Sequence, residues 1–189
     1  MQDFSRHAFK EWASICGAVA AGRQAVLLRK GGIHERRGRF AVEQDEFWLF
    51  ATRFHQSDEE LSPDGRRFLA EARASQPTAD LVALPAYVVA TDVLSLDRED
   101  LLPRLRPYHV YADQVLVDRF RYKRPGLTLI VVRALTPVEP VMVPDSAQFA
   151  GCRSWVELAS GVSTTGLRPV IEDEAFERVR AEIVALVEG

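Results

Sequence analysis

Cysteine is nearly absent from this chain: Cys16 and Cys152 are the only two in 189 residues. Two cysteines make no disulfide framework, and no C-x-x-C pair offers zinc spacing, so both are read as reduced thiols. No apolar run approaches the ~20 residues that a membrane-spanning helix needs. The opening MQDFSRHAFKEW lacks the charged-then-apolar pattern of a secretory signal, and the expectation is a cytoplasmic protein. No G-x-x-x-x-G-K-[ST] phosphate loop occurs, and no internal repeat or low-complexity segment does. Nothing calls for a cofactor.

What is present is an ordinary globular balance, 47% hydrophobic and 27% charged, long enough for one domain with a substantial core. Net charge is −3 and the pI is near 5.8, which excludes the overall footprint of a basic nucleic-acid binder. Its distribution is uneven. Arg23, Arg29, Lys30, Arg36, Arg37 and Arg39 crowd one stretch, and Arg119, Arg121, Lys123 and Arg124 form a second cluster. Acid gathers at Asp58-Glu59-Glu60 and between Glu172 and Glu188. Such asymmetry gives either a basic face on an acidic protein or ordinary solvated faces.

In chain order, His7 to Ala21 carries Phe9, Trp12, Ile15, Cys16 and Val19 at helical spacing, with Gly22 where a helix stops. Gln24 to Arg29 reads as a strand, and Gly31-Gly32 as a turn. Arg39 to Phe50 reads as a hairpin turning at Gln44-Asp45, in which Glu46 begins the second strand. The alternative is one continuous strand with Glu46 on an apolar face, paired with Arg29 or His55. Ser62-Pro63 opens a helix running to about Ser75. Tyr87 to Leu94 is a strand, Asp97 caps a short helix, Arg104 to Pro107 is a loop, and Ala112 to Phe120 is helical. Leu127 to Leu135 is the strongest strand and should be central. Pro137, Pro140 and Pro144 restrict Val141 to Val143 to an edge piece, and Ser154 to Leu158 is another short strand. Glu172 to Val187 closes the chain as an amphipathic helix. The expected organisation is a barrel-like α+β core over 1–171 and a packed terminal helix over 172–189.

The chemistry concentrates between Gly22 and Gln56. Arg29, Lys30, Gly31 and Gly32 can cradle an anion, with backbone N–H groups and cations converging at a strand end; a basic hairpin with turn glycines fits the same residues. Glu35, Glu43, Glu46 and His55 can make a carboxylate–histidine site for Mg²⁺ or Mn²⁺, hence a nuclease. Restriction-type nucleases place a carboxylate two residues before a lysine, yet Lys10, Lys30 and Lys123 follow Ala8, Leu28 and Arg121. Tyr122 between Arg121 and Lys123 suits single-stranded nucleic acid, or packs at a sheet rim.

The blocks FKEWA, LLRKGGIHE, EFWLF…FHQ and GCRSWVEL resemble the signature of the bacterial domain of unknown function 1802 family, which carries no function with it. A looser likeness is to PUA-like barrels, the ASCH and EVE domains. Gly22 and Arg29 match the first and last positions of the ASCH pattern G-x-K-x-x-E-x-R, and EFWLF resembles an EVE opening. Gln24 and Leu27 stand where that pattern has lysine and glutamate, which counts against hydrolysis. The resemblance implies a PUA-like mixed barrel that holds RNA, DNA or a modified nucleotide in a cleft. The expected ligand residues are Arg29, Lys30, Gly31, Gly32, His55, Gln56, Arg121, Lys123 and Arg124. The alternatives are a metal-dependent nuclease on Glu35, Glu43, Glu46 and His55, and a protein-interaction module.

Overall fold

The structure is a computed structural model, and it describes residues 2–30, 42–53, 56–75, 80–151 and 153–189. The first strand, β1 (Phe4–Trp12), runs straight into helix α1 (Ala13–Ala20). Phe9 and Trp12 therefore do not share a helical stripe with Ile15 and Val19, as their spacing suggested. The strand wins because β1 is paired on both sides, parallel to β3 (Glu46–Thr52) and antiparallel to β8 (Trp155–Ser163). Residues three apart share a face only in a helix, so the spacing misled, and two ladders of hydrogen bonds decide for the strand.

The main sheet has the order β2-β6-β5-β3-β1-β8, with β2 at Val26–Arg29, β5 at Tyr87–Leu96 and β6 at Leu127–Thr136. A short β9 (Arg168–Pro169) pairs with the end of β6. The β-branched run of β6 is central, as expected, and Thr128 to Val131 pair with both β2 and β5. A separate ribbon pairs β4 (Leu81–Leu84) with β7 (Val141–Pro144), so the proline-bounded segment is an edge whose partner the sequence did not reveal. The observed class is α+β with a sheet-dominated core. No ladder joins β2 to β8 among the described residues, so the sheet is not hydrogen-bonded into a closed barrel.

Two apolar clusters lie on the two faces of the sheet. Phe9, Phe47, Leu49, Val88 and Ile130 face helices α1, α2 (Pro63–Ala74), α3 (Asp113–Arg121) and α4 (Asp173–Glu188). Trp48, Phe50, Tyr87 and Leu158 face the β4–β7 ribbon and Phe149. Ser62 caps α2 by accepting from the Gly65 N–H at 3.2 Å, with Pro63 at its first position. Asp97 caps nothing. The following 3-10 helix spans Glu99–Tyr108 and absorbs the expected loop at Arg104 to Pro107. No helix among the described residues is long and apolar enough to cross a membrane.

The parallel β1–β3 pair brings the ends of two strands together. Trp12 lies opposite Thr52, so both strands end at the same edge of the sheet. Crevices outside the carboxyl ends of parallel strands are where α/β sheets collect ligands.

Candidate functional site

A cleft of about 790 Å³ opens at that edge. Its floor is Lys10, Glu11 and Trp12 from β1, Phe50 to Thr52 from β3, Arg29 from β2 and Arg119 from α3. Its far wall is Asp80 to Val82, leading into β4, and Asp145 to Ala150, following β7; Gly151, Arg153 and Ser154 close it before β8.

At the bottom sits a carboxylate that the sequence reading missed. Glu11 is 1% exposed, and Arg29, 21% exposed, donates to its Oε2 at 3.2 Å. Its Oε1 accepts the Trp12 N–H at 2.8 Å. Arg29 also donates to Ser154 Oγ at 2.7 Å and lies 4.7 Å from the centre of the Phe9 ring. A carboxylate withdrawn from water needs such a partner. Arg29 thus bridges edge strand β2, central β1 and the entry to β8, drawing the two ends of the open sheet together. Burial pushes the Cys16 pKa well up, and the charge of Glu11 adds to it, so that thiol is a poor nucleophile.

Two more cations fasten the walls. Lys10 Nζ donates to the carbonyls of Phe149 and Gly151, and Arg53 donates to the Leu81 carbonyl at 3.4 Å. Arg119 differs. Its guanidinium lies 4.4 Å from the Trp12 ring and 4.8 Å from the Tyr111 ring, with no ion pair among the described residues. Arg153 is exposed and likewise has no ion pair among them. Against Lys10, Arg29, Arg53, Arg119 and Arg153 stand the carboxylates of Glu11, Asp80 and Asp145, so the cleft is basic in a chain of net charge −3. Phe50 and Phe149 meet edge to face at 5.2 Å beneath it.

The expected ligand residues are distributed differently. Arg29 lines the cleft, but through the Glu11 ion pair. Lys30 points away from it, into the carbonyls of Phe120, Arg124 and Gly126 at the end of α3, where a cation suits the helix dipole. Gln56 accepts from both Ser14 N and Ser14 Oγ and donates to the Thr52 carbonyl, tying α1 to β3. Arg121 is held by both oxygens of Glu99. Lys123 and Arg124 are exposed on the turn beyond α3, beside Lys30 rather than inside the cleft. Gly31, Gly32, Glu35 and His55 lie outside the described residues, as does much of the expected hairpin. Glu43 is exposed ahead of β3. Glu46 starts that strand, on the apolar face with Trp48 and Phe50, and accepts from Tyr87 Oη at 3.0 Å. Six steps along β3 set Glu46 ~20 Å from Thr52, and His55, its other expected partner, lies outside the described residues.

The pattern of a family described as Domain of unknown function (DUF1802) matches residues 8–182. The chain belongs to that family. Its four resembling blocks converge on the cleft: FKEWA brings Lys10, Glu11 and Trp12, LLRK brings Arg29, EFWLF and its sequel bring Phe50 to Arg53, and GCRSWVEL brings Gly151, Arg153 and Ser154. That convergence is the signal that could have found Glu11. Among solved structures, the DUF1802 chain is similar to an ASCH protein from Zymomonas mobilis, with TM-score 0.46 and 13% identity over 93% of each chain. It is similar to that protein's serine-to-alanine variant, with TM-score 0.48 and 13% identity over 96% of this chain and 99% of the other. The tyrosine-to-phenylalanine variant gives TM-score 0.46 and 14% identity over 93% and 96%. No curated protein matches the chain.

Proposed function

We propose that the DUF1802 cleft binds nucleic acid or a modified nucleotide, as a non-catalytic recognition site. The observation that carries this is Arg119, a cation without a carboxylate partner among the described residues, laid on the face of Trp12 inside a cleft with Arg153 on its rim. Phosphate is the ligand group that best matches a guanidinium fork, and an aromatic beside it offers a surface for a base. A volume of about 790 Å³ accommodates a nucleotide with room to spare. The same reading takes the curled sheet as a PUA-like barrel whose seam between β2 and β8 is bridged by Arg29 rather than by a strand ladder.

The test is fluorescence anisotropy with short labelled RNA and DNA oligonucleotides. Arg119→Met with Arg153→Ala should weaken binding by about 1.5–3 kcal/mol per charged hydrogen bond lost, with little change in melting temperature. Wild-type protein that binds neither oligonucleotide, or a double variant that binds as tightly as wild type, would overturn the reading.

A further inference from the structure

The turn that follows α3 is built to face outward. Tyr122 caps the helix through its N–H to the Asp118 carbonyl at 3.0 Å, and is 57% exposed. Lys123 follows at φ 59°, in the left-handed region that lysine rarely adopts, and Gly126 closes the turn at φ 116° with its N–H on the Phe120 carbonyl. Lys30 explains how that backbone is held. Its ammonium collects three carbonyls from the inner side of the turn, those of Phe120, Arg124 and Gly126. With the carbonyls turned inward, the side chains of Tyr122, Lys123 and Arg124 are left on the solvent side. Lys123 Nζ stands 5.0 Å from the Tyr122 ring centre. Neither Lys123 nor Arg124 has an ion pair among the described residues, whereas neighbouring Arg121 is taken by Glu99.

This turn follows the helix that carries Arg119 into the cleft. Tyr122 is three residues beyond Arg119, hence on the same side of α3 and about 5–6 Å away between Cβ atoms. Lys30, which holds the turn, immediately follows Arg29 on the cleft floor. An exposed aromatic followed by two open cations, one helical turn from the cleft-lining Arg119, matches a nucleic-acid strand in both π surface and charge.

We infer that Tyr122, Lys123 and Arg124 form an outer platform for a single strand that leaves the cleft past Arg119. The ligand class is then a single-stranded oligonucleotide several residues long, and not a free nucleotide. This rests on the nucleic-acid reading of the cleft and extends it beyond the cleft's own volume.

Labelled decauridylate and decathymidylate, and a labelled dinucleotide of each, distinguish the two. Wild type should bind a ten-mer more tightly than its dinucleotide. Tyr122→Ala, and separately Lys123→Gly with Arg124→Ala, should weaken ten-mer binding roughly five- to 150-fold, the range for a lost stacking contact, and leave dinucleotide binding unchanged. Glycine at 123 suits the positive φ, and all three side chains are exposed, so these variants should fold. Ten-mers bound no more tightly than dinucleotides, or equal losses for both lengths, would overturn the platform while leaving the cleft reading intact. Binding of neither length by wild type would overturn both.

Discussion

Arg29 directs its charge inward, onto a carboxylate that water barely reaches. That arrangement settles what its removal should do. Glu11 would be left buried without a counter-charge, and breaking such a pair costs about 3–5 kcal/mol, where an arginine held only by ligand would cost almost nothing. Arg29→Ala should therefore lower stability by that amount in urea unfolding, and adding Glu11→Gln to it should restore part of the loss. Unchanged stability in Arg29→Ala would show that the ion pair contributes little. The sequence marked Arg29 as pivotal because an apolar strand ended there before two glycines. It could not name Glu11, since that residue falls on the polar side of the segment when His7 to Ala21 is read as a helix.

The same misreading shows which elements were legible. Strand β6 and helices α2 and α4 announced themselves through β-branched runs, a serine–proline start and an amphipathic stripe, all local signals. β1 and the β4–β7 ribbon exist because of partners forty or more residues away, and no local pattern reports a partner. Helix α4 tests the local case. It buries Phe176 and Ile183, and Arg180 grips both oxygens of Asp92 on β5 at 2.6 and 2.9 Å. Two fully buried side chains contribute roughly 3–6 kcal/mol, a large share of the roughly 5–15 kcal/mol that keeps a domain folded. Deleting residues after Ile171 should abolish the cooperative thermal transition or cause aggregation. A truncated protein melting at the wild-type temperature would mean that α4 is dispensable.

At the scale of the whole molecule, stability should depend on acidity through the buried imidazole of His109 and a set of surface carboxylates. The cleft draws residues from Lys10 to Ser154, so no window of sequence contains it, and its integrity follows the stability of the entire fold. His109 is buried, with neither ring nitrogen hydrogen-bonded, beside Tyr111. Burial pushes its pKa down to about 4, with Asp113 opposing and Arg106 assisting. Unfolded, the same imidazole titrates near 6.5. Between those values the unfolded chain holds one more proton than the folded one, so stability is complete above about 6.5 and declines as pH falls towards 4, by about 3 kcal/mol in all. Below that window the carboxylates take over. Hydrogen bonds from Arg180, Arg106 and Arg121 hold Asp92, Asp113 and Glu99 below the ordinary range, and their contribution, present above their unfolded pKa, is lost as acid protonates them. Urea unfolding at pH 7, 5.5, 4.5 and 3 separates the two. His109→Phe keeps a ring against Tyr111 but carries no proton, so it should flatten the decline between pH 6.5 and 4.5 while leaving the steeper loss at lower pH. Parallel stability profiles for wild type and His109→Phe would show that the imidazole is not the group that titrates.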